Sequence, residues 1–563
     1  MKLTVEEKAL FADIDQLIPE QGFLEYNFND EKQYQFALML LEKSLDRKRY
    51  PGTFKKLELL KAQHQQIGFT LSNNRQQDNG WHDMVAAPVV GANQDKLITA
   101  ETVATVVGGF IEMHVTTVVK NNNSGDIVAM FSRHTYFDST VIADAQPFDG
   151  GSPDPDVTAY SQALYTTQAG QTIRSGIVKN RPIGKKISQP IILAPVKTTN
   201  TPYVPGAINI GLGRRWDNQG PGTPFDYAWN EPVRNHPIGK IPFVGRINFD
   251  RPIRTPLSKD NLRLEIFVVN VDPNGGGAVK LSPTDLDHVY SKFSIDPNSP
   301  NTLTWNLPPG KNTSDPGDPI TFGSVTWPSD MKAYFVCTIT VNVENEAEPR
   351  IAYTKSRVTS QRGTPREGVA EIEPIAFIWH CLGEGTMVTM EDGSLKPIEY
   401  VLAGDRVKSN SQGECATVVW TNKGLHTGSV LRIQTDQGKT LTISHNHVVI
   451  TPNGACPAGE LNVGDLLQTV DGEAMICAIE HQPSYDGMMY NLAIREYQHP
   501  EEHDGNIATF IANDLVVGDI NAQRALHHLR RNDIGWIKQR VPAYLHTDVE
   551  SYFEDKQLEG SKT

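Results

Sequence analysis

Residues Cys381 to Val407 read CLGEGTMVTMEDGSLKPIEYVLAGDRV. The cysteine is followed by Gly385-Thr386 and by Met387, Val388, Thr389 and Met390, a run with the alternation of a half-buried strand. Asp392-Gly393 supplies hairpin chemistry, because aspartate and glycine tolerate the positive backbone angles of a tight turn. A second apolar run follows and stops at Gly404-Asp405. The spacing predicts a compact β unit that starts at the cysteine.

That unit is repeated. IEYVLAGDRV in the first half is answered by AGELNVGDLL in the second, and SVLRIQT by MMYNLAI. Gly404 and Gly464 occupy the same place in each copy, as do Ile433 and Ile494, so the period is about 60 residues. Two similar β subunits are expected in succession over residues 381–522.

The opening block and the duplication resemble the Hint (hedgehog/intein) family of autoprocessing domains. The resemblance implies a pseudo-twofold β fold in which Cys381 attacks the peptide bond before it, here His380-Cys381. A second block of that family carries Thr-x-x-His, and LTISHNHVVITPNG offers Ser444-x-x-His447 in the matching register. By resemblance, His447 protonates the departing amide nitrogen and Ser444 hydrogen-bonds near the scissile carbonyl. Serine for threonine keeps the hydroxyl. The terminal block departs from a splicing intein: Gly518 and Asp519 stand where a His-Asn pair is expected, and Ile520 stands at the acyl-acceptor position. Isoleucine accepts no acyl group, and Asp519 replaces asparagine only through a slower carboxylate route. The pattern implies an N-to-S acyl shift at Cys381, a thioester at His380, and release of residues 1–380 to water or a small nucleophile. Two alternatives stand beside it: a Hint fold without activity in a binding or structural protein, and true splicing.

His445 and His447 form H-x-H, which on a strand would point both rings to one face, but no third or fourth ligand accompanies them and no metal is expected. HPEEH at His499 to His503 contains Pro500, which argues for a loop rather than a metal-binding helix. Five cysteines without a CxxC pair fit neither a disulfide scaffold nor a zinc site, and Cys337, Cys415 and Cys477 read as small core residues. No cofactor is implied.

The whole chain, 563 residues, exceeds what one hydrophobic core serves. With 45 Gly and 36 Pro it reads as loop-rich and β-leaning. A formal charge of -14 disfavours nucleic acid and anionic lipid as partners. No run reaches the ~18 apolar residues of a transmembrane segment. MKLTVEEKALFADIDQLIPEQ lacks the basic start and apolar stretch of a secretory leader, so the expectation is a cytoplasmic protein or one exported without a cleaved leader.

Residues 1–75 carry apolar residues at helical spacing, with Asp30 as an expected N-cap. Residues 76–375 turn to strands: GGFIEMHVTTVVK and IVAMFSRHTYFD as a hairpin, then NLRLEIFVVNVD, NTLTWNL and AYFVCTITVNV. Their histidines, His114, His134 and His236, read as structural, and the region shows no motif that identifies a chemistry. Residues 523–563 form a helical tail packing back on the molecule, with Trp536, Tyr544, Tyr552 and Phe553 as packing residues. The fold class expected is therefore mainly β and multidomain: a helical N-terminal segment, a β-sandwich-like region and a C-terminal Hint-like unit.

Overall fold

The N-terminal helices form where their caps and apolar spacing place them. In α1 (Val5–Leu17), Thr4 accepts from the Glu7 amide and Glu7 accepts in return from the Thr4 amide, a reciprocal cap. Asp30 caps α2 (Glu31–Ser44) by accepting from Lys32 N at 2.9 Å, as the sequence predicts. With α3 (Pro51–Ile67) they bury Phe11, Ile14, Phe36, Leu40 and Leu57 against Val118, Tyr160, Leu164 and Ile177 of a sheet. The computed structural model describes the chain apart from residues 20–22, 68–80, 91–95, 106–109, 138–139, 145–147, 150–155, 169–171, 181–184, 187–191, 194–206, 213–226, 230–238, 271–276, 282, 313–314, 323–330, 348, 357–368, 379–381, 427–428, 484, 486, 495–506 and 561–563.

That sheet is antiparallel, in the order Leu24–Glu25, Ile173–Asn180, Val157–Thr167, Phe110–Asn121, Ile127–Tyr136. The expected hairpin is its edge pair, closed where Asn121 Oδ1 accepts from the amides of Asn123 and Ser124. The first ten residues of Phe110–Asn121 are buried without alternation, because helices cover one face and Ala104 and Val141 of neighbouring strands pack on Met113 and Val115 from the other.

Two further sheets share a second core. Leu262–Asn270 pairs along its whole length with Met331–Val341, and Phe243–Asn248 pairs with Ser299–Leu307. Ile266, Val268, Phe335 and Cys337 from the first meet Phe243, Ile247, Leu303 and Trp305 from the second; α4 (Pro283–Tyr290) adds Val289. Strand Ile375–Ile378 lies in this assembly, beside Ile208–Leu212, and from it the chain passes to the unit that begins at Leu382.

In that unit the duplication is visible bond by bond. Gly404 N donates to Val418 O at 2.8 Å, and Gly464 N to Ile476 O at 2.9 Å. The Asp405 carboxylate accepts from Leu402 N, and the Asp465 carboxylate from Asn462 N. Both turns follow a short 3-10 helix, Ile398–Tyr400 and Ala458–Glu460. Both glycines hold positive φ, +92° and +98°, which a side chain would strain. The expected hairpin also forms, Met387–Thr389 against Leu395–Pro397, with Ser394 N donating to Asp392 Oδ1. Leu431, Ile433, Leu467, Ile476, Phe510 and Val517 close one core from both halves.

Of the cysteines read as core residues only Cys337 is buried; Cys415 is half-buried and Cys477 exposed on Gly472–Gln482, because that strand turns alternate side chains to solvent. The tail is three helices, α5 (Ala522–Asn532), α6 (Ile534–Arg540) and α7 (His546–Gly560). Among the described residues no helix is long and apolar enough to cross a membrane.

Candidate functional site

The strand Leu382–Gly383 is threaded between two others. Leu382 stands opposite Ile443 on one side and Tyr490 on the other, and Gly383 is opposite Met489. The residue that follows the first flanking strand is Ser444, and the next on the second is Asn491. His380 and Cys381, the candidate scissile pair, lie outside the described residues, as does the HPEEH segment and His236.

After Thr440–Ile443 the chain folds into a turn rather than continuing as a strand: His447 N donates to Ser444 O at 3.1 Å. This corrects the strand reading of H-x-H. The turn separates the two rings. His445 is half-buried against His481, with ring centroids 5.7 Å apart, while His447 is buried and bonded to the backbone of Gly518. Among the described residues no group of three or more His, Cys, Asp or Glu side chains is placed to hold a metal ion.

Ser444 and His447 are both buried, and among the described residues the Ser444 hydroxyl and His447 Nε2 have no hydrogen-bond partner. Burial pushes the His447 ring down to about 3, against the opposing pull of its bond to Gly518. The ring is therefore neutral at neutral pH. With Gly518 engaged and Nε2 unpartnered, its proton sits on Nδ1 and the Nε2 lone pair is available. Two unpaired polar atoms in one buried turn are costly unless a further group uses them.

Asn491 is a residue the sequence reading passed over. It is buried in Gly487–Ala493; its Oδ1 accepts from Leu492 N, and its Nδ2 has no partner among the described residues. The available signal was a side-chain amide inside the apolar run MMYNLA.

The terminal block is built differently. The Asp519 carboxylate accepts from Asn521 N at 2.9 Å and from Ile494 N at 3.3 Å, fixing the bend into α5. Gly518 is packed so closely that a Cβ there would sit 2.3 Å from Ala522 Cβ and 3.0 Å from Val448 Cβ. Ile520 is buried, and Val448, Ala522 and Leu526 pack together. α5 thus fills the room that a histidine at 518 would need.

No family model matches the chain, and no curated protein matches it. Solved structures that match a part of it include the gp41-1 intein, 22% identical over 25% of this chain and 99% of that one, TM-score 0.20. A bacterial intein-like domain from Clostridium thermocellum is 23% identical over 25% of this chain and 99% of its own, TM-score 0.21. A DnaB intein from Synechocystis sp. PCC 6803 is 19% identical over 25% and 99%, TM-score 0.20.

Proposed function

We propose that residues 381–522 are a single-turnover autoprocessing unit that cuts the chain between His380 and Cys381. The observation that carries the reading is the pair of unpartnered polar atoms, Ser444 Oγ and His447 Nε2, buried in one turn that follows the strand beside Leu382. Residue 381 is one peptide unit, about 3.8 Å between Cα atoms, from Leu382. Leu382, the residue after Cys381 in the sequence, pairs with Ile443 and Tyr490, and the residues that follow those two are Ser444 and Asn491.

The chemistry follows from those groups. A neutral His447 takes the thiol proton of Cys381 on Nε2, which makes the sulfur nucleophilic. The sulfur attacks the carbonyl carbon of His380. Ser444 Oγ and Asn491 Nδ2 donate to the oxyanion as it forms. The C–N bond breaks, the imidazolium returns its proton to the Cys381 nitrogen, and a thioester joins His380 to Cys381 Sγ. Water or a small nucleophile then adds to the thioester carbonyl and expels the thiolate. The products are a carboxylate or adduct at His380 and a free Cys381 amine. The role expected of His447 is thereby enlarged: a ring pushed down to about 3 carries only its Nδ1 proton at neutral pH and has none to give from Nε2, so it must be a base before it is an acid.

Asp519 serves the bend into α5 and takes no part in this cut, and the bond after it stays intact. Mass analysis in denaturant of the wild type and of Cys381→Ala tests the reading. Fragments 1–380 and 381–563 are expected from the wild type, faster with hydroxylamine or dithiothreitol, which intercept a thioester and leave an amide alone. A matching cut in Cys381→Ala overturns the mechanism, and an intact wild type under all these conditions favours an inactive Hint-like fold. A product joining His380 to Ile520 would establish splicing instead.

A further inference from the structure

The helices α6 and α7 pack on the opposite end of the chain from the unit they follow. Ile537, Val541, Leu545 and Val549 form one buried cluster with Ile111 and Tyr136 of the N-terminal sheet. The Asp548 carboxylate is fully buried and accepts three hydrogen bonds, from Gly52 N at 2.7 Å, Thr53 N at 2.6 Å and Thr53 Oγ1 at 2.7 Å. Those amides are orphan donors of the first turn of α3, so a residue nearly five hundred positions away caps that helix with the charge its dipole favours. Around it, Asp555 accepts from Tyr50 Oη at 2.5 Å and pairs with Arg49 at 2.7 Å, and Ser551 Oγ donates to Arg49 O at 2.7 Å.

Beneath this contact lies a set of ionisable groups, Lys56, Glu112 and His114 buried and the His134 side chain nearly so. Lys56 of α3 pairs with Glu112, and His134 Nε2 lies 3.0 Å from the other oxygen of Glu112. His134 stacks on Tyr136, whose ring packs edge-on against Tyr552 of α7. His114 stands directly opposite His134 in the sheet, so two histidines read from the sequence as scattered structural residues share one buried cluster. Lifting α7 away would leave the first turn of α3 uncapped and open the side of this cluster.

The chain on the C-terminal side of residue 381 is thus held to the N-terminal side in two ways: covalently at His380-Cys381, and through α6 and α7. We propose that α6 and α7 are a clamp whose partner is the chain's own N-terminal unit, so that self-cleavage converts one chain into a two-chain complex rather than two free fragments. The proposal rests on the cut proposed above and revises its consequence: residues 1–380 are severed, not released.

The test makes the cut by other means. In the full chain carrying Cys381→Ala, a site-specific protease sequence is placed between residues 380 and 381, cleaved, and checked in denaturant. The parent is expected to co-elute as one species in native size exclusion at micromolar concentration. Asp548→Ala, which removes three bonds to a buried carboxylate, should weaken the complex about a hundredfold or more. Gly52→Ala attacks the contact from the other side: a Cβ there would lie 2.3 Å from Tyr544 O and 2.9 Å from Asp548 Oδ1. Alanine itself suits the first turn of a helix, so this variant should fold and still lose its partner. Circular dichroism of the uncut variants reports folding. Separation of the two pieces in the parent, or complexes of Asp548→Ala and Gly52→Ala as tight as the parent's, overturns the clamp. Because the protease makes the cut, failure of self-cleavage leaves this result standing, and dissociation in the native column leaves the mass analysis of self-cleavage standing.

Discussion

The buried, neutral His447 makes a prediction about pH that an exposed histidine would fail. Take the rate of cleavage in enough hydroxylamine that doubling it changes nothing, so that formation of the thioester limits. The reactive state is thiol plus neutral imidazole, and moving a proton from one to the other inside the site neither takes up nor gives off a proton to solvent. A histidine at its ordinary value near 6.5 would be mostly protonated at pH 5, and the rate would fall about 25-fold between pH 7 and pH 5. With the ring pushed down to about 3 by burial, about one molecule in a hundred is protonated at pH 5, so the rate should be flat over that interval. The sign is that of a depressed base: its neutral form persists above its folded-state value and is lost only as the pH falls toward 3. Samples are quenched into acidic denaturant and the fragments counted by intact mass. A titration limb centred near 6.5 would refute the argument from burial. An unbroken tenfold rise per pH unit would mean that solvent, and not His447, removes the thiol proton.

Further outcomes come from the same geometry. His447→Ala should slow cleavage by about 10² or more, and Ser444→Ala by less, since water can replace one small hydroxyl donor. Asn491→Ala should cost about 10² as a lost oxyanion donor, with circular dichroism unchanged; wild-type cleavage in that variant would remove Asn491 from the mechanism. Gly518→Ala should destabilise the C-terminal unit by about 1–3 kcal/mol in chemical denaturation, because its Cβ would meet Ala522 Cβ at 2.3 Å. For the same reason a His-Asn pair installed at 518 and 519 should yield no cleavage after residue 519, measured by mass.

What could be read from the sequence was whatever near neighbours decide. The helix with Asp30 at its start, the hairpin at Asp392-Gly393 and the twin turns at Gly404 and Gly464 each depend on a few consecutive residues, whose backbone preferences and side-chain acceptors act within one turn. The Ser444-x-x-His447 spacing was legible for the same reason, although its backbone was not: a strand and a turn are both open to SHNH until the packing of His447 beside Gly518 chooses between them. The tertiary structure alone decided the rest. The pairing of Leu382 with both Ile443 and Tyr490, which brings Asn491 into view, joins segments some sixty and more than a hundred residues from it. The closure of Gly518 by Ala522 and the capping of α3 by Asp548 likewise depend on three-dimensional packing. Such contacts leave no local trace, because a carboxylate that will cap a distant helix and one that faces water obey the same short-range rules; only burial, which the whole chain determines, tells them apart.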